Sequence, residues 1–304
     1  MQPKQYLHIN LFLILTLPFF FSGCTFRSAV IQGAKPAVYG IELSFFNEDD
    51  VAFAGEALPG IIKITEGMFN YHPKSHYLAG KLCFLYAAYT FGYLDNSPYS
   101  DFDADADNSI LRMISFYEKS YSYGKKGLNI KYKNFSEKIK TKESRTKILQ
   151  KLKKNDVEIL FWMTFSRAMM LFNDTANPSL LFELEVIKHC ADRIAELDPG
   201  FLNGSVYALF TAFYGGRTDS LGGNRRECDA MYSRGQSYAE GKSLILDYVY
   251  LRYVLTQQND SAPFEELYKK IMKFDPDSVE NFKLFNHLIR QKTKFLHSKM
   301  DWLF

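Results

Sequence analysis

The 304-residue chain carries 37 Lys/Arg against 34 Asp/Glu, a net charge of +3, with 47% hydrophobic and 23% charged residues. That balance belongs to an ordinary globular protein and excludes a chain of disordered composition. Four cysteines without a CxxC pair exclude a disulfide framework: beyond Cys24 there are only Cys83, Cys190 and Cys228, enough for one bridge at most and read as three small buried hydrophobes.

The first element is a secretory signal over residues 1–23. Lys4 gives a positive start, the uncharged run from Leu11 to Phe21 is too short to span a bilayer as a mature helix, and small residues follow. The run ends in Phe21-Ser22-Gly23-Cys24. A cysteine after Ser-Gly is similar to a bacterial lipobox, with Phe21 where Leu is usual, so Cys24 is the expected lipid attachment site and the mature N-terminus. Export removes the chain from ATP, NAD and nucleic acid. Thr25 stands where an inner-membrane lipoprotein would carry Asp, which favours the outer membrane. Residues 24–47 read as a tether and 48–304 as a single domain.

Periodic segments after the tether are helical almost throughout, with Val scarce beside Leu, Phe, Tyr, Ala and Lys. The predicted helices are 49–69, 75–94, 106–125, 132–153, 155–172, 178–196, 200–215, 222–240, 242–257, 262–273 and 278–299. The segment 155–172 is apolar nearly all round and is expected to be central and buried. Glu158 and Arg167 within it argue against a membrane span. Residues 41–108 carry 11 acidic residues against three Lys, whereas 112–154 carry 14 Lys/Arg against three Glu. With nucleic acid removed by export, the basic block reads as a solvated helical hairpin, or as a surface for anionic lipid or an acidic partner.

Three X-Pro turns join these helices: His72-Pro73-Lys74-Ser75, Asp198-Pro199-Gly200 and Phe274-Asp275-Pro276-Asp277-Ser278. Proline stops one helix and presets the next, and Asp198 and Asp275 can accept backbone N–H bonds as caps do. The pattern predicts an all-α, tetratricopeptide-like array of helix pairs, whose units run to about 34 residues. Such stacked pairs curve around a concave binding face.

The chain also resembles the T component associated with TRAP transporters, the TatT family. The resemblance rests on Gly215-Gly216, on Leu221-Gly222-Gly223-Asn224 opening a helix with Ala230 and Tyr232, and on Tyr248, Tyr250, Tyr253 and Asp260. It continues through Phe264-Glu265, Asp275-Pro276-Asp277, Asn286 and the closing Asp301-Trp302-Leu303-Phe304. Glu56-Ala57-Leu58-Pro59, the His72-Pro73 turn and Asp156 through Trp162 extend it more weakly. The resemblance implies a periplasmic lipoprotein, a homotrimer with a channel through each protomer, and a periplasmic substrate-binding protein as partner. It implies a small apolar ligand and brings no catalytic residue.

Tyr207, Phe213, Tyr214, Tyr248 and Tyr250 are the rings that could line a ligand cavity; ordinary repeat packing is their competing role. In the Gly222-Gly223-Asn224 turn, glycine permits positive φ or close backbone approach, and Asn224 can cap the next helix.

Other chemistry fails on spacing. Asp101, Asp103, Asp105 and Asp107 alternate as in a calcium loop, but neither register has the required Gly and Glu. Pro73 separates His72 from His76, and Thr218-Asp219-Ser220-Leu221-Gly222 lacks the first glycine of a nucleophile elbow. No Walker loop or GxGxxG is present. No metal, cofactor or catalytic set is therefore expected. The leading expectation is a lipid-anchored accessory component of TRAP-type uptake; a structural envelope scaffold without a ligand is the rival.

Overall fold

The computed structural model describes residues 22–95, 106–173, 183–257 and 261–304. The signal run before Ser22, Asp101, Asp103 and Asp105 of the acidic run, and Asp260 lie outside them. The described residues contain helices, turns and no strand. The chain divides into two compact units after Phe46. In the first, α1 (Ser22–Phe46) contains Pro36 and exposes Tyr39 and Ile41.

The second unit opens with α2 (Val51–Tyr71), capped by Asp50, whose Oδ1 accepts the Phe53 N–H at 3.0 Å. It buries Ala54, Leu58, Ile62 and Phe69, one face at helical spacing. The His72-Pro73 turn leads to Ser75, whose hydroxyl accepts the Leu78 N–H at 3.2 Å and starts α3 (His76–Tyr89). A π-helical turn over Thr90–Leu94 widens the end of α3, and Asp95 closes it by donating its N–H to the Thr90 carbonyl. Next comes α4 (Ala106–Lys131).

The single helix predicted over 132–153 is two short ones, α5 (Phe135–Lys138) and α6 (Lys142–Leu149), with Asn134 left-handed and Thr141 extended. One straight helix would set Ile148 about 220° around from Phe135. Breaking it lets Phe135, Ile139, Ile148, Leu149 and Leu152 all reach the core.

As expected, the apolar run forms the central helix α7 (Val157–Asn173), with twelve buried residues on every side. It packs against α3, α4 and α8 (Leu184–Leu197). Glu158 pairs with Lys81 at 2.8 Å, and Arg167 pairs with Glu183. Tight approach of α4 depends on two glycines: a Cβ at Gly124 would lie 2.7 Å from Met163, and one at Gly127 would lie 2.4 Å from Ile159.

At the second proline joint the Asp198 carboxylate faces Lys154 at 3.3 Å instead of capping. Leu202, Asn203 and Gly204 all have positive φ, so α9 begins at Val206 rather than near 200. The array continues through α10 (Arg225–Ala239), α11 (Ile245–Tyr253), α12 (Ser261–Lys273), α13 (Lys283–His297) and the short α14 (Met300–Leu303). Asp275 does accept an N–H, from Asp277 at 3.1 Å. Strongly one-sided α12 and α13 pack on α11 and on each other.

Finally, the last pair meets the first. α13 packs on α2, and Asn47 and Asn281 exchange hydrogen bonds, Asn47 Nδ2 to Asn281 Oδ1 at 2.9 Å and Asn281 N–H to Asn47 Oδ1 at 2.7 Å. A Cβ at Gly92 would sit 3.3 Å from Leu288. The row of helix pairs therefore closes on itself around a shared interior.

Candidate ligand cavity

That interior contains an aromatic cavity of about 50 Å³. α7 supplies its main wall with Phe161, Trp162, Phe165, Met169 and Phe172, and the π-turn contributes Phe91. α9 adds Ala208, Leu209 and Ala212, α11 adds Tyr248 and Tyr253, and α13 adds Phe285. The rings hold one another: Phe161 meets Trp162 edge-on at 5.0 Å, Phe91 meets Phe165 at 5.6 Å, and Phe172 leans on Tyr253 at 4.9 Å. Edge and tilted geometries of this kind favour a defined wall. Besides the Tyr hydroxyls and the Trp162 indole N–H, Ser205 is the one polar side chain in the lining. Such a site favours apolar matter over water, which needs polar partners.

A buried polar cluster backs this wall. Asp95, delivered by the π-turn, receives the Arg252 guanidinium, with Nη2 3.4 Å from Oδ1, and the Tyr117 hydroxyl at 3.2 Å. Arg252 also donates to the Tyr248 hydroxyl at 2.9 Å. Lys292 donates to the Asp95 carbonyl at 3.3 Å, and its ammonium lies 4.8 Å from the centre of the Phe91 ring. Burial lowers the Lys292 ammonium to about 8; Asp95 opposes the shift and Arg252 adds to it. Two cavity residues, Phe91 and Tyr248, are thus held from behind by charge. Composition and spacing gave no sign of this cluster, because its members are 157 and 197 residues apart.

Of the five rings singled out in the sequence, Tyr248 lines the cavity. Tyr207 is buried between α9 and α10, stacked on Tyr238 at 5.4 Å. Phe213 lies under the Arg217 guanidinium at 4.0 Å, and Tyr214 is half-buried against it. Tyr250 borders a separate surface cleft with Arg225, Tyr232 and Lys270, and its hydroxyl donates to Asp229 at 2.8 Å. The cause is helical rotation. Ser205, Ala208, Leu209 and Ala212 share one face, while Tyr207 lies about 220° and Tyr214 about 200° from Ala212, and Tyr250 about 200° from Tyr248. The cavity aromatics on α7 had a visible signal, the Phe161-Trp162-Met163-Thr164-Phe165 run, which reads equally as plain core.

The Gly222-Gly223-Asn224 turn has the local chemistry its sequence requires. Gly222 is left-handed at φ +84°, and a Cβ on Gly223 would lie 2.1 Å from the Arg217 carbonyl oxygen. Asn224 Oδ1 accepts the Glu227 N–H at 3.1 Å and caps α10. Cys83, Cys190 and Cys228 are free and buried, and burial raises the first two thiols to about 12. Among the described residues, no group of three or more His, Cys, Asp or Glu is placed to hold a metal, and no helix is long and apolar enough to cross a membrane.

A family model for the TRAP transporter T-component matches residues 47–304, the whole of the second unit. The chain belongs to that family. Its membership associates it with a TRAP transporter, and the family is one of transport accessories rather than of known enzymes. The chain is also similar to a protein of Treponema pallidum (strain Nichols), described as uncharacterized. The two are 21% identical over 266 residues, covering 86% of this chain and 82% of the relative. As a T-component, the chain encloses its aromatic cavity within the segment the family shares.

Proposed function

We propose that this T-component is an envelope lipoprotein, acylated at Cys24, that holds a small apolar ligand in its aromatic cavity while a periplasmic substrate-binding protein docks on it. The observation that carries the reading is the cavity itself: an aromatic enclosure lined almost wholly by apolar side chains in a member of a transport family. An array built only as a scaffold has no need to keep Ala208 and Ala212 small opposite Phe161 and Trp162. The homotrimer implied by the resemblance belongs to the same proposal.

Trp162 supplies the test, because it lines the cavity and the chain has only one other tryptophan, Trp302. Xenon, small enough for a cavity of about 50 Å³, is expected to enter it and quench Trp162 emission by heavy-atom contact. Ala212→Leu fills the space and is expected to weaken that quenching at least tenfold. Overpacking there costs typically about 1–3 kcal/mol, and helical circular dichroism checks that the variant is folded. Equal quenching in both proteins would remove the cavity from the reading.

The anchor is tested separately. Cys24→Ser is expected to move the protein from the membrane fraction to the soluble fraction of cells. Unchanged retention would refute acylation at Cys24 and leave the cavity result standing.

A further inference from the structure

Residues 132–154 carry nine basic and two acidic residues, a net of +7, so the rest of a +3 chain carries −4. The molecule is electrically lopsided, and the excess sits on the α5–α6 hairpin. The hairpin is held rigidly: Phe135, Ile139, Ile148, Leu149 and Leu152 are all buried beneath it. Its one arginine, Arg145, is turned inward, donating to His189 Nδ1 at 2.8 Å and to Glu185 at 2.9 Å. The positive charges that face outward are all lysines. Lys140 and Lys147 pair with Glu137 and Glu143 within the hairpin, and Lys154 reaches Asp198. Lys133, Lys142, Lys151 and Lys153 are exposed, and their ammonium groups make no carboxylate contact among the described residues.

We propose that the α5–α6 hairpin is a docking surface for an anionic phospholipid bilayer, which orients the protein on the membrane. The residue types select the occupant. Docking of a specific protein uses arginine and aromatic anchors. Here the arginine is buried, Phe135 is in the core, and Tyr132 donates its hydroxyl to Asp156. Single-stranded nucleic acid would need exposed rings for stacking. What remains is a rigid field of point charges without directional donors, which fits the delocalised charge of lipid headgroups. Cys24 acylation would keep such a surface within reach, but the attraction itself belongs to the hairpin.

The test uses the full chain carrying Cys24→Ser, so that no lipid contributes, in co-sedimentation with vesicles of phosphatidylcholine alone or with 30% phosphatidylglycerol (a fraction of about one-third anionic lipid). Each lysine near an anionic surface contributes roughly fivefold. A triple Lys133→Gln, Lys142→Gln, Lys151→Gln variant is therefore expected to lose on the order of 100-fold in binding to the anionic vesicles. The control is Lys269→Gln, Lys273→Gln, Lys294→Gln, three exposed lysines of α12 and α13 whose loss removes the same net charge. It is expected to bind within a few fold of the parent. Preference for the anionic vesicles that falls with salt and is lost only in the hairpin variant supports the proposal. Equal binding to both vesicles, equal loss in both triple variants, or binding of acidic protein in place of vesicles would overturn it. Helical circular dichroism keeps loss of fold distinct from loss of binding. Failure of acylation at Cys24 would leave this outcome unchanged.

Discussion

Asp95→Asn is expected to destabilise the protein by about 3–5 kcal/mol, read as a drop of roughly 10 °C in thermal midpoint. Asp95 is buried; its carboxylate receives Arg252, and Lys292 bonds its backbone carbonyl close enough to feel the same charge. Removing its charge leaves both cations in the interior without it. The asymmetry is the sharper measurement. Lys292→Met leaves the Asp95–Arg252 pair intact and replaces a buried cation with an apolar side chain, so it is expected to change stability by less than about 1.5 kcal/mol.

The pH dependence has a definite sign. The folded ammonium of Lys292 lies near 8 and the unfolded one near 10.5. The unfolded chain binds the extra proton between those values, so stability rises with pH across that window. Wild type should therefore gain relative to Lys292→Met between pH 7.5 and 9.5, by denaturant titration. A constant difference would mean that Lys292 is not desolvated in the fold. Because Asp95 joins the first helix pair to α11 and α13, the same substitution should loosen the wall at Phe91 and Tyr248. Xenon quenching of Trp162 should fall along with stability.

The helical fold was legible because its signals are local. His72-Pro73 and Asp275-Pro276 mark helix ends through chemistry contained within four residues, although Asp198 at the middle joint turns to Lys154. The buried α7 was visible from an apolar run that leaves no polar face. The ring closure was not visible. It depends on Asn47 meeting Asn281, and on Asp95 meeting Arg252 and Lys292, across most of the chain. The aromatic residues of the repeats were also legible as a set, but the choice among them needed helix rotation. Tyr248 and Tyr250 are two residues apart and face opposite ways. The break at Thr141 was hidden for another reason: lysine-rich sequence has good helix propensity, and only the positions of Phe135 and Ile148 show that one helix could not bury both.

Asp156→Asn is the second large effect expected, about 2–4 kcal/mol of stability, because this buried carboxylate gathers donors from both ends of the basic hairpin. Lys131 approaches at 2.5 Å and the Tyr132 hydroxyl at 2.6 Å from the side where α4 ends. The Lys153 N–H, at 2.9 Å, arrives from the side that leads into α7, and His76 lies 3.7 Å away. Burial alone would raise the Asp156 carboxyl. The hydrogen bonds from Lys131, Tyr132 and the Lys153 N–H outweigh it and hold the carboxyl below the usual range. A depressed carboxyl contributes stability that is present above the unfolded value near 3.8 and lost as pH falls through the folded one. The gap between wild type and Asp156→Asn should accordingly be full at pH 7 and should close progressively below about pH 4, measured by denaturant titration. Hydrogen exchange at pH 7 locates the cost. If Asp156 fastens the hairpin, amides of residues 135–152 should lose protection while those of α9 and α11 keep it. Uniform loss would make Asp156 a general core contact. A hairpin that opens locally would also carry its lysines on a mobile chain, so anionic vesicle binding should survive in Asp156→Asn while the fixed orientation on the membrane is lost.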